Sequence, residues 1–235
     1  MIALRVYTLA LFLVILSVGT HHANHHRTLV FSDHFEDRSE IGGHYNTALA
    51  GSDAWTIRDG ALIGKQTNPG HGAVIRKELL FADIDIEVDF RFSGGSRFNF
   101  VIDDKNEKTV HAGHICRVSI SPNSLKISDD KTGGMNLEVR ALRQTENLSE
   151  TQQQALDALL KRTSKSATIH LKQDQWYRLR VRIQNDLMEA YIDQKLVASL
   201  RSPGFAHPTK TKFGMTVNET TIDFDNLAVY EPIEQ

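Results

Sequence analysis

The sequence predicts an all-β fold, a two-sheet antiparallel sandwich carrying one inserted surface helix at about residues 149–162. Three observations carry that expectation. Apolar side chains recur at every second position, most cleanly at Ile84, Ile86, Val88, Phe90 and Phe92, with Asp85, Glu87, Asp89 and Arg91 between them. A period of two turns one strand face to a core and the other to water. Turn chemistry punctuates the apolar runs, as in Asp59-Gly60 between Trp55-Thr56-Ile57 and Leu62-Ile63-Gly64, a hairpin signature. Helical periodicity is confined to one stretch, and about a dozen short strands with a single helix form a sandwich rather than an α/β layer fold.

The elements follow in order. Arg5 precedes the uncharged run Val6 to Val18, and Ser17-Val18-Gly19 offers small residues at its exit, so residues 1–19 read as a signal peptide cleaved near Gly19 or Ala23. The run is shorter than the roughly 20 residues a bilayer needs, and no later stretch could span one. Export to the bacterial periplasm or beyond is expected. His21-His22-Ala23-Asn24-His25-His26 lies in a flexible spacer, residues 20–28, whose composition also suits a transition metal. Ordered structure is expected from Leu29, giving one domain over 29–235.

Short strands follow at Ala73-Val74-Ile75 and at Ile84–Phe92, turned by Ser93-Gly94-Gly95-Ser96 into Phe98, Phe100 and Ile102. Ile115 or Cys116, then Val118 and Ile120, form the next, and Leu125 and Ile127 another. Ser149 with Gln152 fits a capping box, and Leu156, Leu159 and Leu160 make a stripe ending near Arg162. Strands resume at Trp176–Ile183, Met188–Ile192, Leu196–Ala198, Phe213–Val217 and Ile222–Val229. Trp55 and Trp176 both sit in alternating strands and are expected in the core. Cys116 is the one cysteine, so no internal disulfide forms and stability must come from packing; a buried strand thiol is expected.

Composition excludes some functions. The chain has 235 residues, 24% of them charged, and a formal net charge of −2, which leaves no basic footprint for nucleic acid. No serine elbow and no glycine-rich phosphate loop appears. What remains is the loop His111-Ala112-Gly113-His114 at the lip of a strand, two imidazoles around a small-residue pair. Rigid sheets commonly present function on such loops. Two other loops bring candidate partners, Asp129-Asp130-Lys131 and His207-Pro208-Thr209-Lys210.

The catalytic candidates are therefore His111, His114, Lys131, His207 and Lys210, with Asp129, Asp130, Glu87 and Asp89 as substrate-binding candidates. A histidine can move a proton while a lysine stabilises an oxyanion. The same groups can hydrogen-bond sugar hydroxyls without catalysis. His111, His114 and His207, or a carboxylate, form an alternative zinc set; no cofactor is required by the sequence, and a metal ion stays open. Glu87 and Asp89 face one side about two residue rises, roughly 6.6 Å, apart, near the ~5–5.5 Å of a retaining glycosidase pair.

Family resemblance enters on longer motifs: Trp55-Thr56-Ile57-Arg58-Asp59-Gly60-Ala61-Leu62-Ile63-Gly64, Phe81 to Phe92, Trp176-Tyr177-Arg178-Leu179, Ile192-Asp193-Gln194-Lys195-Leu196-Val197, and Ile222-Asp223-Phe224-Asp225-Asn226-Leu227. In these the chain resembles the concanavalin A/laminin G-like jelly rolls, and among them the secreted bacterial 3-keto-disaccharide hydrolase domain family. The resemblance implies a carbohydrate ligand and hydrolysis or elimination of 3-keto-glycosides. A non-catalytic laminin G-like glycan-binding module, or an envelope-associated domain, is the alternative. Departures are visible. Ser93-Gly94-Gly95-Ser96 stands where the family commonly has Asn-Ser-Gly, and Glu87-Val88-Asp89-Phe90-Arg91-Phe92 lacks the third carboxylate of the related laminarinases.

Overall fold

The computed structural model describes residues 27–48 and 53–232. The expected signal peptide and the tract His21–His26 lie outside the described residues. Strands β1 (Arg27–Asp33), β2 (Asn46–Ala48), β3 (Trp55–Arg58) and β4 (Ala61–Gly64) open the fold. Next come β5 (Ala73–Phe81), β6 (Ile84–Phe92), β7 (Arg97–Asp103), β8 (His114–Ser121) and β9 (Ser124–Asp129). Helices α1 (Leu137–Gln144) and α2 (Glu150–Arg162) lead to β10 (Ser164–Thr168) and β11 (Trp176–Gln184). The chain closes with β12 (Leu187–Ile192), β13 (Lys195–Arg201), β14 (Lys210–Asn218) and β15 (Ile222–Pro232).

Two antiparallel sheets stack. Sheet I runs β13-β12-β11-β6-β15-β4-β3, with β1 also paired to β15; sheet II runs β10-β9-β8-β7-β14-β5-β2. The long alternating strand β6 lies at the centre of sheet I, between β11 and β15. Its apolar face enters the core: Phe90 packs 5.0 Å from Phe98 of sheet II, and Phe98 lies 5.1 Å from Phe224 of sheet I, ring centre to ring centre. Aromatic rings interleaved this way join the sheets through both area and ring geometry. The other face of β6 is an ion-pair lattice, with Asp85 on Arg180, Glu87 on Arg27 and Asp89 on Arg178.

Three expectations need correction. β1 begins at Arg27, two residues before Leu29, because Arg27 and Thr28 continue the pairing with Pro232 and Glu231. The insertion holds two helices rather than one. α2 starts on the expected Ser149–Gln152 capping box, but α1 precedes it. Helix α1 is short and buries only Val139, so it shows little stripe; the Asn136 side chain starts it by accepting from the amides of Glu138 and Val139. Trp55 is buried as expected, but Trp176 is 38% exposed. It stands opposite Arg91 on the outer face, Arg91 Cζ lies 4.7 Å from its ring centre, and Tyr177 takes the inward position.

Candidate functional site

The polar face of sheet II is shaped by one irregularity. Along the β7–β8 ladder Arg117 opposes Val101 and Cys116 opposes Ile102, yet His114 opposes Asp103. The extra residue makes a bulge in which Ile115 and Cys116 are both fully buried. In a regular strand residues three apart point to opposite faces. The bulge therefore brings His114 onto the face that carries Arg117. The Ile115 carbonyl accepts from both the Asp130 and the Lys131 amides at 3.0 Å, which ties the loop after β9 to the same spot.

A tight turn aims the second imidazole. Residues His111–Gly113 form a single 3₁₀ turn with Ala112 at φ 54° and Gly113 at φ 77°. The Gly113 carbonyl accepts from the Asp104 amide at 2.8 Å, and a Cβ on Gly113 would stand 2.3 Å from the Asp104 oxygen. Only glycine fits both constraints. The rings of His111 and His114 are held 6.0 Å apart, centre to centre.

Each ring has a defined electrostatic setting. His114 Nδ1 lies 2.6 Å from Asp103 Oδ1, and Arg76 Nε donates to Asp103 Oδ2 at 2.8 Å. Burial alone would push the Asp103 carboxyl up, but the hydrogen bond from His114 and the charge of Arg76 outweigh it, and its pKa falls below the usual value. Asp103 is therefore an acceptor and His114 Nδ1 the donor, which leaves Nε2 as the ring nitrogen turned away from Asp103. His111 is held below the usual imidazole pKa, first by burial and then by the charges of Arg140, His114 and Arg117.

Beside them, Arg117 Nε donates to Asp130 Oδ2 at 2.6 Å, while its Nη2 is buried without a hydrogen-bond partner. Burial raises the pKa of Asp130 despite Arg117. Arg117 also borders a cavity of ≈ 480 Å³, lined by Asn99 and Ser119 among others and walled on one side by Arg143 of α1 and Leu160 of α2. Ser119 Oγ donates to Asn99 Oδ1 at 2.6 Å. The face thus offers a base, a cationic donor and sugar-sized hydrogen-bonding groups.

The other expected residues are distributed elsewhere. Lys131 Nζ meets His207 Nδ1 at 2.7 Å and Glu107 at 3.1 Å, and His207 Nε2 meets Asp104 at 2.9 Å. That cluster is built on Asp104, the neighbour of Asp103, and among the described residues no hydrogen bond or ion pair joins it to His114. Glu107 is held at about 2, by the Thr109 amide and hydroxyl before Lys131. Lys210 is a correction. It is fully buried, and its ammonium is spent on the carbonyls of Ala82 and His207 at 2.6 and 3.0 Å, so it cannot reach a ligand.

Asp129 is another correction: its carboxylate is buried and taken by Thr132, Ser202 and the Gly204 amide. Glu87 and Asp89 belong to the arginine lattice of sheet I, on the opposite side of the sandwich. Among the described residues no three His, Cys, Asp or Glu side chains gather to hold a metal, and the alternative His111–His114–His207 set does not converge. Arg76, Asn99, Asp103 and Arg117 went unmarked in the sequence. Their only signal was an outward position on an alternating strand, which charged surface residues share.

Residues 35–230 match the family described as the 3-keto-alpha-glucoside-1,2-lyase-like domain. The chain belongs to this family. No curated protein matches the sequence. Among solved structures, the chain is similar to the carbohydrate-binding module CBM66 from Bacillus subtilis, at 14% identity and TM-score 0.53, covering 80% of this chain and 96% of that one. It is also similar to the laminarinase from Rhodothermus marinus, at 12% identity and TM-score 0.61, covering 89% and 99%. A third is the catalytic domain of an endo-1,3-beta-glucanase (laminarinase) from Thermotoga petrophila, at 12% identity and TM-score 0.54, covering 89% and 100%. At such identities the likeness is one of fold, and it establishes the concanavalin A-like jelly roll. For a lyase-like domain of this architecture, the expectation of a carbohydrate-related domain holds. Among the described residues no helix is long and apolar enough to cross a membrane.

Proposed function

We propose that the protein is an exported enzyme that cleaves 3-keto-glycosides by elimination on the polar face of sheet II. The observation that supports this reading is the imidazole of His114, oriented by buried Asp103 and turned onto the face that carries the partly exposed Arg117 guanidinium. A ketone at C3 acidifies the C2–H bond. His114 Nε2 removes that proton, and the electron pair moves toward the C3 oxygen, where the Arg117 guanidinium stabilises the developing enolate. The enolate then expels the C1 substituent: the C1–O bond breaks, a C1=C2 double bond forms, and the departing oxygen takes up the proton from the His114 imidazolium. The products are a 3-keto-2-hydroxyglucal and a free alcohol; addition of water to the former completes a net hydrolysis. His111, kept neutral by its surroundings, hydrogen-bonds the sugar from the same side. The step draws on the chain's own groups. Lys131, ion-paired with Glu107, and His207, hydrogen-bonded to Asp104, stand apart from this step.

The test uses p-nitrophenyl 3-keto-α-glucoside and 3-keto-trehalose, with release of p-nitrophenol and of the unsaturated ketone as readouts. Exchange of the C2 hydrogen with deuterated solvent should accompany turnover. His114→Ala should lose at least about 10²-fold in kcat, the usual contribution of a general base, while circular dichroism stays unchanged. Saturable binding of the glycoside with no product from the wild type would replace this reading with a non-catalytic glycan-binding module.

A further inference from the structure

The cavity beside Arg117 has an unbalanced charge. Arg97, Arg117, Lys126 and Arg143 line it. Two carboxylates also border it, and both are spent: Asp130 on Arg117, and Asp129 on Thr132, Ser202 and the Gly204 amide. Among the described residues Arg97 and Lys126 form no ion pair or side-chain hydrogen bond, and Arg143 donates only to the Gly134 carbonyl. Sheet I treats its arginines differently. There Arg91, Arg178 and Arg180 each face a carboxylate on the neighbouring strand, and Arg27 reaches past β15 to Glu87. The same chain that neutralises one face thus leaves another with three unmatched cations around a concavity.

Solvated surface arginines are the plain explanation for such residues, and they suffice when side chains diverge into water. Here Arg97, Lys126 and Arg143 border one cavity. Holding like charges together without counter-charge is unfavourable. An oxyanion relieves this, since guanidinium forks match carboxylate, sulfate and phosphate oxygens.

We propose that this cavity is an anion subsite and that the substrates of the site are acidic saccharides, bearing a carboxylate, sulfate or phosphate ester next to the sugar that His114 attacks. The proposal rests on the elimination reading for the word substrate, but the anion subsite stands on the cavity alone. Discrimination between acidic and neutral sugars would then come from Arg97, Lys126 and Arg143, and chemistry from His114.

Native gels containing polygalacturonate, dextran sulfate, a phosphomannan or neutral dextran separate the possibilities. At low salt the wild type should be retarded by at least one of the three charged polymers and by dextran not at all, with retardation falling as salt rises. The polymer that retards identifies the anion. Arg97→Ala/Lys126→Ala, which removes two exposed side chains, should weaken that retardation about tenfold, on the scale of charge-assisted bonds. Lys65→Ala/Lys195→Ala, with the same loss of charge at exposed positions away from the cavity lining, should not. Equal retardation by dextran, no retardation by any charged polymer, or equal losses in the two double variants overturns the proposal. Turnover of the neutral p-nitrophenyl 3-keto-glucoside by the wild type is scored separately. Turnover without charged-polymer binding sinks the anion subsite and leaves the elimination standing; binding without turnover sinks the elimination and leaves the subsite.

Discussion

Single residues decide whether the site can hold its protons. Asp103 is buried between Arg76 and His114. Replacing it by Asn leaves the Arg76 charge buried and unpaired, and breaking such a pair typically costs about 3–5 kcal/mol. Asp103→Asn should therefore lower the urea midpoint strongly and also abolish turnover, since His114 loses the carboxylate that fixes its tautomer. The sign of the pH effect follows from its lowered pKa. A depressed carboxylate stabilises the fold above the unfolded value of 3.8 and ceases to do so as pH falls through its folded pKa. His111 behaves oppositely in kind. Its folded pKa is also lowered, but a lowered imidazole penalises the protonated form, so any destabilisation from it appears as pH falls below 6.5. An NMR titration of its ring should place the midpoint below 6.5; a midpoint above that would remove its role as a neutral hydrogen-bonding group. Cys116, buried with its thiol pKa pushed up by burial, should resist thiol reagents until the protein unfolds.

Elements aim these residues. The turn before β8 and the bulge inside it together put two imidazoles and Arg117 on one face. Gly113 is the point where that arrangement is most constrained, being at positive φ and against the Asp104 carbonyl. Gly113→Ala should cost more than about 1 kcal/mol from backbone strain alone, with the clash adding to it, and should reduce kcat more than it raises KM because the base is displaced. A chemical denaturation curve and steady-state kinetics measure both. The His111–His114 pair was legible as a loop at a strand lip. The bulge was not, because Ile115 and Cys116 are both apolar and either could have taken the inward position. Both do, and that duplication is what turns His114 outward.

For the whole molecule, the α1–α2 insertion is the least coupled part. It buries only Val139 and Leu156, and its ends meet where a Cβ on Gly133 would stand 2.5 Å from Thr163 Oγ1. Replacing residues 137–162 by a short Gly-Ser linker should leave a folded sandwich with a cooperative thermal transition, while removing the Arg143 and Leu160 wall of the cavity and weakening retention of a charged glycan. Loss of the far-UV β spectrum in that deletion would show instead that the insertion is part of the core.

By itself the sequence determined the sandwich, because a period-two pattern such as Ile84–Phe92 can bury its apolar face in only one way. It also determined the α2 cap, the β3–β4 hairpin and the buried thiol. Only the tertiary structure decided which polar residues share a site. Glu87 and Asp89 alternate as a catalytic strand would, yet the register of β6 against β11 hands Asp89 to Arg178. Lys210 follows a candidate histidine by three residues, yet packing leaves its ammonium nothing but carbonyls. Trp176 alternates like a core residue but begins its strand on the outward phase. Local pattern reports which side chains turn from the core; strand order and register report which of those meet, and that meeting alone produced the His114–Asp103–Arg76 line and the cationic cavity beside it.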